Sequence, residues 1–461
     1  MLNLPIKCYF LNILGHFYPF FFNTTYRMAA FAAVSFAEGI TFGAWLRALA
    51  APVASDGDET ITAAGNSWGY GARTARINVS AVAPDGNAGF NMGVYNDVTM
   101  SLSAGDEANL WVKPLDIVKV SYGKYDNNTL RGDVCYGSWN WLRPTSSWLE
   151  GGEGYLMSGN GDTGLMAEIT PMENLYIQAL VPITTAEVKA GDTYKNLRAG
   201  FAYTVPGLVK VKGQYIGKGK AKVDESFTVE GKTYKTEAAA NAAIAALFDA
   251  LPAADQDVDG DGDVDDDDVD AFAQNDLELS YDAGSDANSN CTLEAEVDVL
   301  AVEGLFAGVG FQYNVIKDGK DVAAGARNMK IALGASYQVM PELKVSANGA
   351  FYTFYGEKID PRFDAGIGVD YDLGDGLAAN ADFRYLSKSG VDGKKADNSD
   401  SIAFSVGVTK SVSSNGYIGV AFQGQTNSGT FANNVITGKP NDDGENKNFV
   451  WAVPVALSVW F

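Results

Sequence analysis

Aspartate recurs at alternate positions in one short stretch of the chain, residues 257 to 268, with Gly262 at the sixth position and Val264 at the eighth. The candidate ligands of a metal ion there are Asp257, Asp259, Asp261, Asp263, Asp265 and Asp268. A hard cation is held by roughly six to eight oxygens, and alternate residues of a tightly turning loop bring several carboxylates to one point. The spacing therefore predicts a calcium site, in which Asp263 offers its backbone carbonyl and Val264 an apolar anchor.

This stretch resembles the calcium loop of EF-hands, and Asp268 in place of a final glutamate makes it similar to the calcium repeats of dockerin modules. A dockerin has two such repeats, and because one is found here the resemblance does not imply cohesin binding. The alanine-rich segment 237–251 predicts a helix before the loop, and 269–274 begins another. We therefore predict a helix, calcium loop, helix insert over residues 237–275, in which the ion orders the loop. The alternative is a disordered acidic run.

Charge and histidine content argue against several functions. The net charge is -23, and a leader carrying Lys7 and Arg27 changes it to -25 when it is removed, so we expect no nucleic-acid partner. His16 is the only histidine and lies in that leader, so the mature chain has no histidine to act as general base, and we expect no enzyme. Cys135 and Cys291 either pair in an oxidising compartment or remain free.

Residues 1–37 have the features of a signal peptide. They contain no acidic residue, they carry apolar stretches at 17–22 and 28–37, and Ser35-Phe36-Ala37 matches a small-x-small cleavage pattern. Cleavage before Glu38 would leave a mature chain of residues 38–461. A buried N-terminal helix is the alternative.

The elements that must position these residues are strands. In 362–373 apolar residues occupy the odd positions and polar residues or glycine the even ones, and the segments 328–339 and 377–385 divide in the same way. The segments run about 9 to 13 residues, near the length of a tilted strand that crosses a bilayer. Beyond the leader no stretch of roughly 20 apolar residues exists, so a membrane protein of this composition must be a closed barrel.

The connections predict how many strands there are. Eight tight turns contain the Pro, Gly, Asn or Asp residues that short turns require, at 84–86, 113–116, 171–174, 205–207, 302–304, 340–342, 374–376 and 413–416. With an opening strand near 40–50 and a closing strand at 449–461, they predict an all-β, transmembrane, antiparallel up-and-down β-barrel of about 18 strands, with 16 as the alternative. The predicted external loops are 51–67, 98–107, 126–163, 185–195, 218–290, 317–327, 356–361, 389–400 and 427–447.

The last strand alternates apolar residues up to the C-terminal Phe461, with Val459 two positions earlier. This resembles the C-terminal signal of outer-membrane barrel proteins, which the barrel assembly machinery reads. Pro454 removes a ladder donor from the middle of this strand, so we expect a local irregularity there.

With this C-terminal strand and the predicted barrel architecture, the chain resembles bacterial porins over nearly all of residues 38–461. The resemblance implies a bacterial outer-membrane location, contact with the lipid bilayer, and passive diffusion of small hydrophilic solutes or ions. It also implies a possible homotrimer and an inward third long loop, which here is 126–163. Trp139, Trp141 and Trp148 of that loop either pack it against the wall or lie at an interface or surface.

The polar face of the strands supplies the candidates that line the pore: Arg198, Lys210, Lys212, Lys330, Lys344, Arg362, Asp364, Asp370, Asp382 and Arg384. These charges either steer solute or pair with one another across neighbouring strands. The acidic loops favour a preference for cations at the mouth. The alternative function is a surface-exposed adhesin or structural outer-membrane barrel with a plugged lumen.

Overall fold

The computed structural model describes residues 39–55, 57–65, 73–97, 102–125, 130–131, 156–159, 161–183, 190–220, 224–258, 262–282, 289–316, 326–356, 359–387, 400–427 and 449–461. The predicted signal peptide lies outside these residues. None of the described helices is long and apolar enough to cross a membrane.

One antiparallel sheet dominates the described part of the chain. Its strands are β1 Ile40–Ser55, β2 Thr60–Gly65, β3 Arg73–Val82, β4 Ala88–Asp97, β5 Leu102–Leu115, β6 Val118–Lys124, β7 Thr163–Met172, β8 Leu175–Pro182, β9 Arg198–Val205, β10 Val209–Gly217, β14 Cys291–Val299, β15 Leu305–Val315, β16 Arg327–Met340, β17 Leu343–Phe354, β18 Arg362–Gly374, β19 Leu377–Leu386, β20 Ser401–Ser413, β21 Gly416–Thr426 and β22 Phe449–Trp460. The strands β11 to β13 belong to a separate small sheet described below.

The large sheet closes on itself. Each strand from β3 onward pairs with the next one along the sheet, and β22 pairs with β1 from Trp45↔Trp460 to Ser55↔Trp451. On its other edge β1 pairs with β3 in its first half and with β2 in its second half, so β2 and β3 share one position in the ring. The result is a closed antiparallel up-and-down barrel of 18 strands, as the sequence predicted.

All eight predicted tight turns are present. They join β3–β4, β5–β6, β7–β8, β9–β10, β14–β15, β16–β17, β18–β19 and β20–β21, at the end of the barrel that also holds residues 40 and 461. Several use a residue with positive φ, among them Asn174 at 64° and Gly207 at 69°. Asn and Gly adopt this conformation at lower cost than other residues, which is why these positions could be recognised in the sequence.

Two predicted loops are largely strand instead. The loop predicted over 51–67 is wrong because β1 continues to Ser55 and β2 begins at Thr60. The loop predicted over 98–107 is wrong because β5 begins at Leu102 and bulges opposite β4. Asp106 and Glu107 give this part of β5 the polar composition of a loop. In the structure both side chains lie near Arg76 of β3.

The irregularity expected at Pro454 is present in the partner strand. The register of β1 against β22 shifts between Ala50↔Val455 and Val53↔Val453, so two residues of β1 lie opposite Pro454. The pairing of β22 with β21 keeps the same register on both sides of the proline. The bulge in β1 contains Pro52 and also shifts the register of β1 against β2, so two prolines without an N–H to donate, Pro52 and Pro454, lie at this irregularity.

A small unit is inserted between β10 and β14. It contains β11 Ser226–Val229, β12 Lys232–Tyr234 and β13 Leu279–Asp282, paired in the order β12–β11–β13, together with α2 Glu237–Phe248 and α3 Asp266–Asn275. A one-turn 3-10 helix, Ala253–Asp255, lies between these two helices. The remaining described helix is α1 Ala190–Tyr194, between β8 and β9. The three-stranded sheet was not foreseen from the sequence, because its strands are only three or four residues long.

Candidate functional site: the barrel lumen

Side chains of the barrel strands alternate between two different environments. On β14 the polar residues Thr292, Glu294, Glu296 and Asp298 are buried, whereas the intervening residues, Leu293 among them, are exposed. The same pattern recurs on β16, β18 and β19. Successive strand residues point to opposite faces, so the polar face turns inward and the apolar face outward.

All ten predicted pore-lining residues lie on this inward face. Five of them are almost fully buried: Lys212, Lys330, Asp364, Asp382 and Arg384. The other five are half-buried: Arg198, Lys210, Lys344, Arg362 and Asp370. Only the second group retains enough exposed surface to contact a solute in this structure.

Charges of opposite sign face each other across neighbouring strands. The register places Lys210 opposite Asp298, Lys212 opposite Glu296, and Lys344 opposite Asp370. Lys212 Nζ lies 3.4 Å from Glu296 Oε1, and both side chains are at most 1% exposed. Inward charges were expected either to steer solute or to pair across neighbouring strands. Lys212 and Glu296 pair with each other.

The described parts of the third long loop lie inside the barrel. Leu130, Leu156 and Met157 are at most 1% exposed, and Leu156 belongs to a cluster with inward residues of β16, β17, β19 and β20. Tyr125, at the start of the loop, packs on Met166 and Leu180. Burial raises the pKa of the Tyr125 phenol to about 12. The tryptophans of this loop lie outside the described residues.

Inward side chains of four consecutive strands, β9, β10, β14 and β15, bind the described residues of this loop. Arg198 of β9 donates to the Gly161 carbonyl and pairs with Asp162. Lys212 of β10 donates to the Arg131 carbonyl over 2.8 Å. Glu294 of β14 accepts hydrogen bonds from the backbone N–H and the hydroxyl of Ser158, and Gln312 of β15 also contacts that hydroxyl.

Two further groups of inward arginines contact aromatic side chains. Arg76 of β3 lies 3.6 Å from Asp106 and donates to Tyr95, while Arg47 of β1 lies 4.1 Å above the Trp45 ring. Arg47 and Arg76 were not among the predicted pore-lining residues, although Arg76, Asn78 and Ser80 alternate with Ile77 and Val79 in the way that identified the other candidates.

The second group surrounds Tyr352 of β17. Arg362 of β18 lies 4.6 Å from the centre of its ring and Arg327 of β16 lies 5.9 Å away. Cations over an aromatic face are attracted by the ring quadrupole. This holds the half-buried Arg362 at a defined place on the lumen wall.

The aspartate-rich loop lies between α2 and α3. Gly262 has φ of 97° and donates to Asp257 Oδ1 over 3.4 Å, so the chain turns sharply at the predicted place. Asp268, 1% exposed, accepts from the Val258 and Asp265 backbone N–H groups, while Phe248 and Phe272 pack the helices together.

Asp265 is the N-cap of α3 and forms a capping box with Asp268, so both Asp268 oxygens accept backbone N–H groups of the described chain, and Val264, the predicted apolar anchor, is 55% exposed. Asp259 and Asp261 lie outside the described residues, and among those that are described no three acidic, His or Cys side chains converge as a metal site. For the cysteines, Cys291 has a free thiol at the start of β14 and Cys135 lies outside the described residues.

The C-terminal residue is part of the barrel closure. The Phe461 backbone exchanges hydrogen bonds of 2.8 and 2.9 Å with Ala44 of β1. Its side chain is 77% exposed and that of Val459 is 40% exposed. Both predicted signal residues therefore present accessible side chains at the end of the barrel that carries the tight turns.

Among solved structures, similar chains are bacterial porins and an outer-membrane protein. An anion-selective porin from Comamonas acidovorans is 12% identical with a TM-score of 0.48, over 92% of this chain and 99% of that one. The trimer form of OmpT of Vibrio cholerae is 9% identical with a TM-score of 0.39, over 92% and 99%. No family profile and no curated protein matches the chain in sequence.

Proposed function

We propose that this chain is a porin-like channel of the bacterial outer membrane, through which small hydrophilic solutes or ions diffuse passively. The observation that carries the proposal is the closed barrel whose inward face is polar and charged while the third long loop lies against its wall. A barrel with this arrangement offers a solute a hydrated path bounded by fixed charges. Charges that line a pore determine which ions and solutes pass through it.

The outward face supports a membrane location. Large apolar side chains on many barrel strands are well exposed, among them Leu333 at 56%, Ile367 at 60% and Val406 at 58%. Such a continuous apolar surface is unfavourable in water and favourable in lipid. In a bilayer the backbone must also be satisfied internally, which a closed sheet achieves.

The test is single-channel conductance of residues 38–461, refolded in detergent and inserted into a planar bilayer. We expect steady, reproducible current steps, with a reversal potential in a salt gradient that reports the charge preference. A barrel that is folded by circular dichroism yet never conducts would overturn the channel and favour the adhesin or structural barrel with a plugged lumen.

Calcium binding by the insert is a second part of the proposal. Asp257, Asp259, Asp261, Asp265 and Asp268 would bind the ion through side chains and Asp263 through its carbonyl. The support is the sharp turn at Gly262 and its hydrogen bond to Asp257. The ion would neutralise carboxylates that otherwise repel and would order the loop. Conductance measured with and without calcium separates this role from the channel itself.

We also propose that Val459 and Phe461 form the signal read by the barrel assembly machinery, and that the protein is a homotrimer. The support for the signal is the exposure of both side chains at the turn end of the barrel.

The support for the homotrimer is the exposed apolar surface, part of which a second barrel could cover. Light scattering in detergent would test the trimer, and a monomer mass would contradict it.

A further inference from the structure

We infer that Glu294 is the positioning residue that fixes the third long loop inside the barrel, and that Gly308 and Gly310 form the seat on which the loop lies. Together they hold residues 156–159 against the wall formed by β10, β14 and β15. The consequence for conductance rests on the proposed channel function, whereas the anchoring of the loop does not.

Glu294 is 4% exposed and its carboxylate collects donors from the loop and from both neighbouring strands. Oε2 accepts from the Ser158 backbone N–H over 3.1 Å and from the Gln214 amide, and Oε1 accepts from the Ser158 hydroxyl and the Gln312 amide. Gln214 in turn donates to the Ser158 carbonyl over 2.8 Å. Every polar group of Ser158 is thus bound to this wall.

The three wall residues come from one row of the barrel. The register places Gln214 opposite Glu294 and Glu294 opposite Gln312, on β10, β14 and β15. A charged acceptor makes stronger hydrogen bonds than a neutral one, and a buried donor left without its acceptor is costly. Removal of the carboxylate would leave two glutamine amides and the Ser158 N–H without the acceptor that joins them.

The loop backbone approaches the wall more closely than a side chain would permit. A Cβ at Gly310 would lie 2.0 Å from the Leu156 carbonyl oxygen, and one at Gly308 would lie 2.5 Å from Asp298 Oδ1 of β14 and 2.7 Å from Leu156 Cδ1. The first contact is with backbone and cannot be relieved by a rotamer change. On β9, a Cβ at Gly200 would lie 2.5 Å from Leu130 Cδ1, so the other end of the loop is seated in the same way.

The seat and the anchor act on adjacent residues. Leu156 occupies the space above Gly308 and Gly310, and Ser158, two residues later, is held by Glu294. Arg198 holds Gly161 and Asp162 a few residues further on. The described residues 156–159 and 161–162 are thus fixed along the wall from β15 back to β9.

The first experiment compares single-channel recordings of Glu294→Ala and Gly310→Ala with two matched controls. Glu303→Ala changes an exposed acid in the turn between β14 and β15, and Gly43→Ala adds a Cβ that meets only the Phe461 carbonyl at 3.4 Å and Asn78 Cβ at 4.0 Å. We expect both test variants to lose the single conductance level and to show fluctuating open currents, while the controls keep it. Wild-type steps in both test variants would overturn the inference.

The second experiment measures the anchor without any current. Ser158→Cys and Gln312→Cys are introduced into a chain with Cys135→Ser and Cys291→Ser, and a short bifunctional thiol reagent is added to the refolded barrel. We expect efficient cross-linking, because Ser158 Oγ and Gln312 Nε2 are 3.3 Å apart.

In this background the backbone N–H of residue 158 and the Gln214 amide still donate to Glu294, so adding Glu294→Ala should lower the cross-linking rate roughly tenfold, as a loss of about 1.4 kcal/mol would do. An unchanged rate would overturn the anchor. A Ser158→Cys, Gln312→Cys barrel that retains Glu294 and cross-links yet never conducts would instead overturn the channel and leave the anchor standing.

Discussion

Inward charges on the barrel wall have two distinct roles according to how much of each side chain is exposed. Lys212 and Glu296 are almost fully buried and paired, and Lys212 also holds the Arg131 carbonyl of the loop. Arg362 is half-buried and stacks on Tyr352. We expect substitutions of the first kind of charge to change stability, and, if the proposed channel conducts, substitutions of the second kind to change what passes through it.

Arg362→Ala should therefore shift ion selectivity toward cations. A single charge in a water-filled lumen acts with no more than about 1 kcal/mol, so the ratio of cation to anion permeability should rise roughly two- to fivefold. The reversal potential in a salt gradient measures this ratio. The control is Ile367→Ala on the outward face of the same strand, which should leave the ratio unchanged. An unaltered reversal potential in Arg362→Ala would show that its charge does not face the permeating ion.

Lys212→Met should destabilise the barrel by about 3 kcal/mol, because it leaves Glu296 buried without its partner. The double variant Lys212→Met with Glu296→Gln should recover much of that loss. Unfolding of each variant in urea, followed by tryptophan fluorescence in detergent, supplies the midpoints for a double-mutant cycle. Additive effects of the two changes would indicate that the pair contributes nothing as a pair.

At the scale of single elements, the tight turns depend on backbone conformation. Asn174, in the turn between β7 and β8, has φ of 64°, which β-branched residues reach only with strain. Asn174→Val should lower the free energy of unfolding by about 1 to 2 kcal/mol, whereas Asn174→Gly should be close to neutral. Urea unfolding measures both. Equal stability of the Val and Gly variants would mean that the turn relaxes to a different conformation.

The insert between β10 and β14 allows a test that leaves the barrel intact. Asp257→Ala combined with Asp261→Ala should abolish terbium binding, because both residues are predicted side-chain ligands of the same ion. Asp270→Ala, an exposed acid of α3 outside the loop, is the control and should bind as the wild type does. Circular dichroism should show the same strand content in all three proteins. Terbium binding that survives the double change would defeat the calcium assignment.

At the scale of the whole molecule, closure depends on the pairing of β1 with β22. The backbone of Phe461 bonds to Ala44 whatever its side chain is, and the side chain is exposed. Phe461→Ala should therefore reduce the amount of barrel assembled in cells while the purified, refolded variant unfolds at the wild-type urea concentration. Leu457→Ala, also outward on β22, is the control. Wild-type assembly of Phe461→Ala would exclude this residue from the signal.

The order of apolar and polar residues determined the barrel. Because side chains alternate with a period of two, the segments 328–339, 362–373 and 377–385 predicted both the strands and the face that each residue occupies. The turn residues predicted the eight connections and hence the number of strands. Short-range rules of this kind depend only on neighbours in the chain, so a single sequence contains them.

Only the tertiary structure decided which inward residues a solute can reach. The described residues of the third long loop contact the wall of β9 to β15, and these contacts join residues far apart in the sequence, such as Ser158 and Glu294, 136 positions apart. Whether Gly310 weakens a strand or seats a loop depends on what packs above it, and alternation does not reveal this. Lys212 is buried and Arg362 is half-buried, and this difference likewise follows from where the loop lies. The alternation of apolar and polar residues places both side chains on the inward face and does not distinguish them.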